Sequence, residues 1–164
     1  MSPRLRTPTD HCIGSIASIS LISIPAISRS IKEDNLSATH AVKLWRANFE
    51  AGFALAPPTA LATAASLAFC AWTTRSISAS GLRNPRLFLV AAALTVGIVP
   101  YTIILMTTTN NELLRFAKKG EKEQLSTAES GETEELLKRW GTLNIIRSFL
   151  PLTGAIVAGI LVLA

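Results

Sequence analysis

Charged residues and metal-binding residues are both scarce in this chain. Asp, Glu, Lys and Arg make up 16% of its 164 residues, and there are two histidines and two cysteines. With so few ligands, and with no carboxylate inside a long apolar block, we do not expect a metal site built from side chains. The chain also lacks a glycine-rich dinucleotide motif, a P-loop and a nucleophile-elbow motif, so the commonest signatures of nucleotide-dependent and serine-dependent enzymes are excluded.

What the chain does have is long apolar blocks. Residues 51–74 and 87–111 contain no charged residue, and residues 141–164 contain one, Arg147. Blocks of this length are typical of helices that cross a bilayer, which need roughly 20 apolar residues. A shorter block, Cys12 to Ile27, follows a basic start. We interpret it as a first span, although the same pattern is typical of a signal peptide.

These blocks predict an all-α protein, an integral membrane four-helix bundle with proline-kinked spans. A single domain, 1–164, would have spans at about 12–28, 51–74, 87–109 and 141–164, and a soluble connection at 112–139. The expected partner is the lipid bilayer, crossed several times, with both termini on the same side. Basic residues flank the spans, which favours membrane edges and argues against nucleic acid as a partner. The orientation and the organelle stay open.

Two polar connections are predicted to carry helices. Residues 39–50 show an amphipathic pattern, with Ser37 or Thr39 as the cap. Within it, Trp45 is interpreted either as an anchor at the membrane surface or as part of a lid over a substrate entrance. In the second connection, residues 112–139, Gly120 and Gly131 are expected to interrupt the helical structure, so that the last helix begins near residue 132.

Every predicted span contains proline: Pro25, Pro57 with Pro58, Pro100 and Pro151. In a four-span topology all of them fall in the half of the bundle nearest the connections 29–50 and 112–139. Each proline removes a helical hydrogen bond and frees a carbonyl group, which membranes tolerate where it is buried in protein or faces a wet cavity. The sequence therefore predicts a bundle that is tight at one end and opens into a pocket at the other.

Arg147 is the candidate centre of that pocket, because a charge inside an apolar span is by default a functional-site hypothesis. Trp140, Asn144 and Arg147 lie at i, i+4 and i+7, which places them on one face of a helix. Tyr101 is expected at a similar depth on the neighbouring span.

These residues also have purely structural interpretations, which the sequence leaves open. They are a snorkelling Arg147 or one paired with Glu112 or Glu50, a packing Tyr101, an interfacial Trp140, a helix-bridging Asn144, and a helix cap at Asn110 and Asn111.

Two runs in the chain carry a family resemblance. One is Val99-Pro-Tyr-Thr-Ile-Ile-Leu-Met followed by Thr109-Asn-Asn-Glu-Leu-Leu; the other is Leu137-Lys-Arg-Trp-Gly-Thr-Leu-Asn-Ile-Ile-Arg-Ser-Phe-Leu-Pro-Leu-Thr-Gly. They resemble the anthrone oxygenase-like family of small four-span membrane proteins, which are frequent in fungi. The serine-rich first block and the region from Trp45 to Pro58 fit the same pattern.

The resemblance implies a monooxygenase that oxidises an anthrone to an anthraquinone in aromatic polyketide (secondary metabolite) biosynthesis. An anthrone gives a delocalised anion that reacts with molecular oxygen, so we expect no cofactor and oxygen as co-substrate. Arg147 and Asn144 are suited to stabilise the oxyanion, and Tyr101 to orient the carbonyl group or relay a proton. Trp140, Asn110, Asn111 and Trp45 are the expected substrate-binding residues for a flat aromatic molecule. For the base, His40 and Glu50 are weak candidates.

Two other classes of function remain open from the sequence. One is a non-catalytic membrane adaptor that holds a biosynthetic partner, such as another polyketide-pathway enzyme. The other is a small carrier subunit that moves a substrate across the membrane without changing it. Either would share the predicted fold, because a fold does not determine a reaction.

Overall fold

The computed structural model describes residues 22–33, 36–77 and 84–163, and all the regular structure in these ranges is helical. The elements in order are α1 (Ile24–Glu33), α2 (Ala38–Ile77), α3 (Pro85–Val96), α4 (Ile98–Tyr101), a π-helical segment (Thr102–Met106), α5 (Thr107–Lys119) and α6 (Thr127–Leu163). From α3 to α5 the helical pieces follow one another with at most one residue between them. The all-α prediction is confirmed.

Three helical rods are long and apolar enough to cross a membrane: Ala38–Arg75, Pro85–Lys119 and Thr127–Leu161. At about 1.5 Å per residue, each is longer than the roughly 30 Å hydrocarbon core, so each must extend beyond it as helix. Of the predicted first span, residues 12–21 lie outside the described residues. The fourth crossing therefore stays a prediction.

Helix α2 runs unbroken for 40 residues through Pro57 and Pro58. The expected division at residue 50, between an amphipathic helix and a separate span, does not occur. Ser37 starts the helix as predicted, because its hydroxyl accepts the His40 N–H at 3.4 Å. Thr39 is not the cap, since its hydroxyl accepts the N–H of Leu125 instead.

The non-helical turn between the second and third rods covers only residues 120–126 of the predicted soluble connection 112–139. Helix α5 continues to Lys119 and ends at Gly120, and α6 begins at Thr127. The expectation that Gly131 interrupts the helical structure is wrong, because Gly131 lies inside α6. A capping box explains the early start: the Ser126 N–H donates to Glu129 Oε2 at 3.0 Å, and the Glu129 N–H donates to Ser126 Oγ at 3.4 Å.

At one end of the bundle, α6 packs tightly on α3. Gly154 is buried there, and a Cβ atom added to it would lie 2.9 Å from the Ala91 carbonyl oxygen and 3.0 Å from Thr95 Oγ1. Small residues allow helices to approach this closely in membranes. This contact holds the α3–α6 end of the bundle closed.

At the other end of the bundle, a larger hydrophobic cluster forms where the helices continue beyond the apolar blocks. Trp45 is fully buried in it, and its ring lies 5.1 Å from Phe49 and 5.8 Å from Trp140, the latter edge-on. Helix α5 contributes Leu113 and Phe116. Trp45 is therefore neither a surface anchor nor a lid residue, since the helical extension beyond Asn111 covers it.

A buried hydrogen bond joins the start of α2 to the turn before α6, and we predict that removing it destabilises the protein. Thr39 is 4% exposed, and its hydroxyl accepts the Leu125 N–H at 3.1 Å. Thr39→Val should lower the free energy of unfolding by about 1–2 kcal/mol, because it leaves a buried donor without a partner. The measurement is thermal or denaturant unfolding of the purified protein in detergent.

Thr133 supplies a matched control for that variant. It is fully buried, and its hydroxyl has no hydrogen-bond partner among the described residues. Thr133→Val should therefore leave stability unchanged or raise it slightly. Equal losses in the two variants would contradict the role given to the Thr39 hydrogen bond.

Candidate functional site

A cavity of about 290 Å³ lies between α2, the α4–π region and α6. This is close to the lower end of the volumes usual for small-molecule sites, roughly 300–1,000 Å³. Its walls are formed by Asn48, Phe49, Gly52, Phe53, Ala56 and Pro57 from α2, Ile98, Val99, Thr102 and Ile103 from the second rod, and Trp140 and Arg147 from α6. Most of these side chains are apolar, so the cavity suits an apolar ligand.

The second rod changes its helical geometry where it meets the cavity. Pro100 has no N–H to donate, and a π-helical segment follows over Thr102–Met106. Such segments are rare and are frequent at functional sites. At the start of this one, the Thr102 hydroxyl donates to the Ile98 carbonyl oxygen at 2.7 Å.

Arg147 is held in place by acceptors on two different rods. Its Nη1 donates to Thr102 Oγ1 at 3.0 Å, and its Nη2 makes a short hydrogen bond to Asn144 Oδ1. Because the Thr102 hydroxyl donates its proton to the Ile98 carbonyl oxygen, Thr102 Oγ1 can accept a hydrogen bond from the arginine. The result is a fixed positive charge in the wall of a mostly apolar cavity.

The two acids considered as ion-pair partners for Arg147 each pair with another arginine. Glu50 pairs with Arg46 at 2.6 Å, and Glu112 pairs with Arg115 at 2.7 Å. A guanidinium group carries donors only, so Arg147 suits a ligand that presents an anionic or strongly polar oxygen.

Trp140 forms one wall of the cavity, and its orientation is fixed by a buried hydrogen bond. Its indole Nε1 donates to Asn110 Oδ1 at 2.8 Å. Asn110 therefore does not cap the second rod, which continues to Lys119. This hydrogen bond keeps the indole ring in place beside the cavity.

The other predicted site residues lie outside the cavity wall. The Tyr101 hydroxyl donates to the Leu143 carbonyl oxygen at 3.2 Å, and the ring packs against the cluster around Trp45. Asn144 is fully buried behind Arg147, and Asn111 is exposed. The structure thus brings Trp140 and Arg147 to the cavity, with Asn144 and Asn110 supporting them.

Among the described residues that line the wall, none is a candidate general base. His40 is exposed and bonds to Ser37, and Glu50 is exposed and bonds to Arg46. In the ranges 22–33, 36–77 and 84–163, no three His, Cys, Asp or Glu side chains gather as metal ligands.

Sequence reasoning missed most of the α2 wall. Asn48, Gly52 and Ala56 recur every four residues, as do Phe49, Phe53 and Pro57 immediately after them. This is one continuous helix face, and it would have been visible in the sequence had α2 been expected to continue past residue 50.

The cavity opens towards the outer surface of the bundle. Phe53 on α2 and Ile103 on the π segment both line it, and they are 63% and 64% exposed. Both lie on rods that are long and apolar enough to cross a membrane. This side of the cavity therefore faces the surface that the apolar rods would present to lipid.

The Trp140–Asn110 hydrogen bond gives a second prediction on stability. Trp140→Phe should lower the free energy of unfolding by about 1–2 kcal/mol, because the buried Asn110 oxygen loses its donor. Trp72→Phe, on the exposed surface of α2, is the control and should change little. Adding Asn110→Leu to Trp140→Phe should recover part of the loss; no recovery would contradict this assignment.

These features define a class: a helical membrane protein with a side-opening apolar cavity and a fixed arginine in its wall. The chain belongs to the anthrone oxygenase family, whose model matches residues 45–157. The matched range includes every residue of the cavity wall.

Three relatives illustrate the similarity. The chain is 37% identical to the anthrone oxygenase encC of Aspergillus fumigatus, over 87% of this chain and 81% of the relative. It is 34% identical to an anthrone oxygenase of Claviceps purpurea, over 87% and 77% of the two chains. It is 27% identical to the noranthrone monooxygenase of Aspergillus flavus, over 87% and 64%. No solved structure matches the chain.

Proposed function

We propose that this protein is an anthrone oxygenase, which oxidises an anthrone to an anthraquinone in aromatic polyketide (secondary metabolite) biosynthesis. The observation that carries the proposal is the fixed arginine in an apolar cavity of a chain from this family. The reaction consumes one molecule of oxygen. One oxygen atom becomes the new carbonyl group, and the other leaves as water with the two hydrogens of the central methylene group.

The chemistry begins with loss of a proton from that methylene group. The resulting anion is delocalised onto the carbonyl oxygen of the anthrone, and its carbon adds to molecular oxygen to form a peroxide. Breaking the O–O bond, with loss of the second methylene hydrogen, gives the quinone and water. Because the anion itself reduces oxygen, we propose a reaction without metal or flavin, with molecular oxygen as co-substrate.

Arg147 is proposed to hold the carbonyl oxygen as negative charge develops on it. A donor fixed before the reaction begins stabilises such an oxyanion without further reorganisation, and it acts most strongly where water is excluded. The hydrogen bonds to Thr102 and Asn144 supply the fixed position, and the apolar walls exclude water.

The remaining predicted residues act around this contact. Trp140 is proposed to stack against the flat substrate, with Asn110 and Trp45 holding the indole in place. Tyr101 lies outside the wall, and it is proposed to support the site by joining the second rod to α6 through its hydrogen bond to the carbonyl of Leu143.

In the cell, the protein is proposed to be an integral, multi-pass membrane protein with four spans and hence both termini on one side. Its partners would be the bilayer, from which an apolar substrate enters between Phe53 and Ile103, and other enzymes of a polyketide pathway.

The test is turnover by the purified protein in lipid nanodiscs. We expect anthrone to be converted to quinone with one molecule of oxygen consumed per quinone formed. An atom of isotopically labelled oxygen should enter the new carbonyl group. Quinone formation no faster than in empty nanodiscs would overturn the proposal. A membrane adaptor would give that same negative result while retaining its partner, and a carrier would move anthrone into vesicles without changing it.

A further inference from the structure

Asn48 is a polar residue in the cavity wall that the proposed reaction does not use. It lies on α2, and its Nδ2 donates to the Leu44 carbonyl oxygen at 2.9 Å. This bond fixes which way the amide is turned, because only the NH2 group can donate to a carbonyl. This leaves the Oδ1 atom of a cavity-lining residue as a hydrogen-bond acceptor.

The other polar side chains of the described wall offer no comparable acceptor. The Trp140 N–H is committed to Asn110. The Thr102 hydroxyl donates to Ile98 and accepts from Arg147. A guanidinium group carries donors only. The cavity therefore combines a cationic donor on α6 with a neutral acceptor on α2, in walls that are otherwise apolar.

We propose that Asn48 is a specificity-determining residue that accepts a hydrogen bond from a hydroxyl group on the ring of the substrate. The inference rests on the proposed function. With the carbonyl oxygen at Arg147 and a hydroxyl at Asn48, a flat molecule is held at two points and cannot turn in its own plane.

The position of that hydroxyl follows from its chemistry. A hydroxyl peri to the anthrone carbonyl already donates to it within the molecule. The hydroxyl that Asn48 selects is therefore one on an outer ring edge, away from the carbonyl. An anthrone without such a hydroxyl leaves the Asn48 oxygen facing an apolar ring edge, which costs affinity.

The test compares two anthrones that differ by one group. The first has two hydroxyls, both peri to the carbonyl, and the second has one more hydroxyl on an outer edge. The wild-type protein should prefer the second in kcat/KM. Asn48→Leu, which removes the acceptor at similar size, should lower this preference about tenfold, equivalent to about 1.4 kcal/mol for one hydrogen bond. Asn48→Ala, which removes the amide without adding bulk, should give the same lower ratio.

Gln124→Leu is the matched control, because it removes an exposed amide from the turn before α6. It should retain the wild-type preference and rate.

Binding of the two corresponding quinones, followed by tryptophan fluorescence, measures the same preference without turnover. If the wild-type protein oxidises neither anthrone, the proposed function fails, and the quinone-binding ratio still decides the role of Asn48. If both anthrones are oxidised and the Asn48 variants keep the wild-type ratio, the Asn48 assignment is overturned and the proposed function stands.

Discussion

Arg147→Gln should lower kcat for anthrone oxidation by about 10²–10³, the usual loss when one donor to a developing oxyanion is removed. Glutamine keeps a polar side chain on α6 but removes the charge and the pair of Nη donors that bind Thr102 and Asn144. The substrate carbonyl oxygen carries more negative charge in the transition state than in the bound substrate. Loss of the donor should therefore lower kcat more than it changes KM. Quinone absorbance and oxygen uptake in nanodiscs measure both constants.

Arg115→Gln makes the same chemical change outside the cavity. Arg115 is exposed on α5 and pairs with Glu112, so its replacement should leave turnover unchanged. Arg147→Lys should fall between glutamine and the wild type, because it keeps the charge and loses the planar fork that reaches two acceptors. If Arg147→Gln folds and retains kcat within about threefold of the wild type, the oxyanion role of this residue is wrong.

The position of Arg147 could be predicted because it depends on local patterns alone. A single charge in an apolar block marks a functional-site hypothesis, and helical spacing joins Trp140 to Arg147 because α6 is continuous between them. The partner Thr102 could not be predicted in the same way. Which residue faces Arg147 from the second rod depends on the π segment, and no single-residue propensity specifies where an extra residue enters a helical turn.

The burial of Trp45 could not be predicted from local sequence patterns. An aromatic residue next to an apolar block is typical of a membrane interface, but this one is fully buried. It is covered because α5 and α6 continue as helices beyond the apolar blocks and pack on the start of α2. That packing joins residues far apart in the chain, such as Trp45 and Phe116, and sequence periodicity carries no information on which rods meet.

The wall contributed by Asn48, Phe49 and Phe53 was missed for a related reason. The loss of charge at residue 51 and the prolines at 57 and 58 both indicated a boundary, yet α2 continues through it. A proline removes one hydrogen bond, and in this helix the remaining bonds and the packing of Ala56 and Ala60 against neighbouring rods are enough to continue it. Propensity alone cannot weigh those tertiary contacts against the break.

Gly154→Val should destabilise the bundle by about 3 kcal/mol, at the upper end of the usual range for overpacking. Its new Cβ would lie 2.9 Å from the Ala91 carbonyl oxygen and 3.0 Å from Thr95 Oγ1, with Leu94 Cβ at 3.5 Å. A backbone carbonyl cannot turn aside as a flexible side chain can, so α3 and α6 must separate. Their separation would loosen the closed end of the bundle, and the midpoint of thermal unfolding in detergent should fall with it.

Gly159 on the same helix separates the effect of the clash from that of the residue type. A Cβ added at Gly159 meets nothing within 4 Å. Gly159→Val therefore makes the same change in intrinsic helix propensity as Gly154→Val, but without a steric clash. It should leave stability near the wild-type value, since valine and glycine differ by less than about 1 kcal/mol in helical preference. Equal losses at the two positions would mean that valine is poorly tolerated anywhere in α6, and the close approach of α3 to α6 would not be what holds this end of the bundle together.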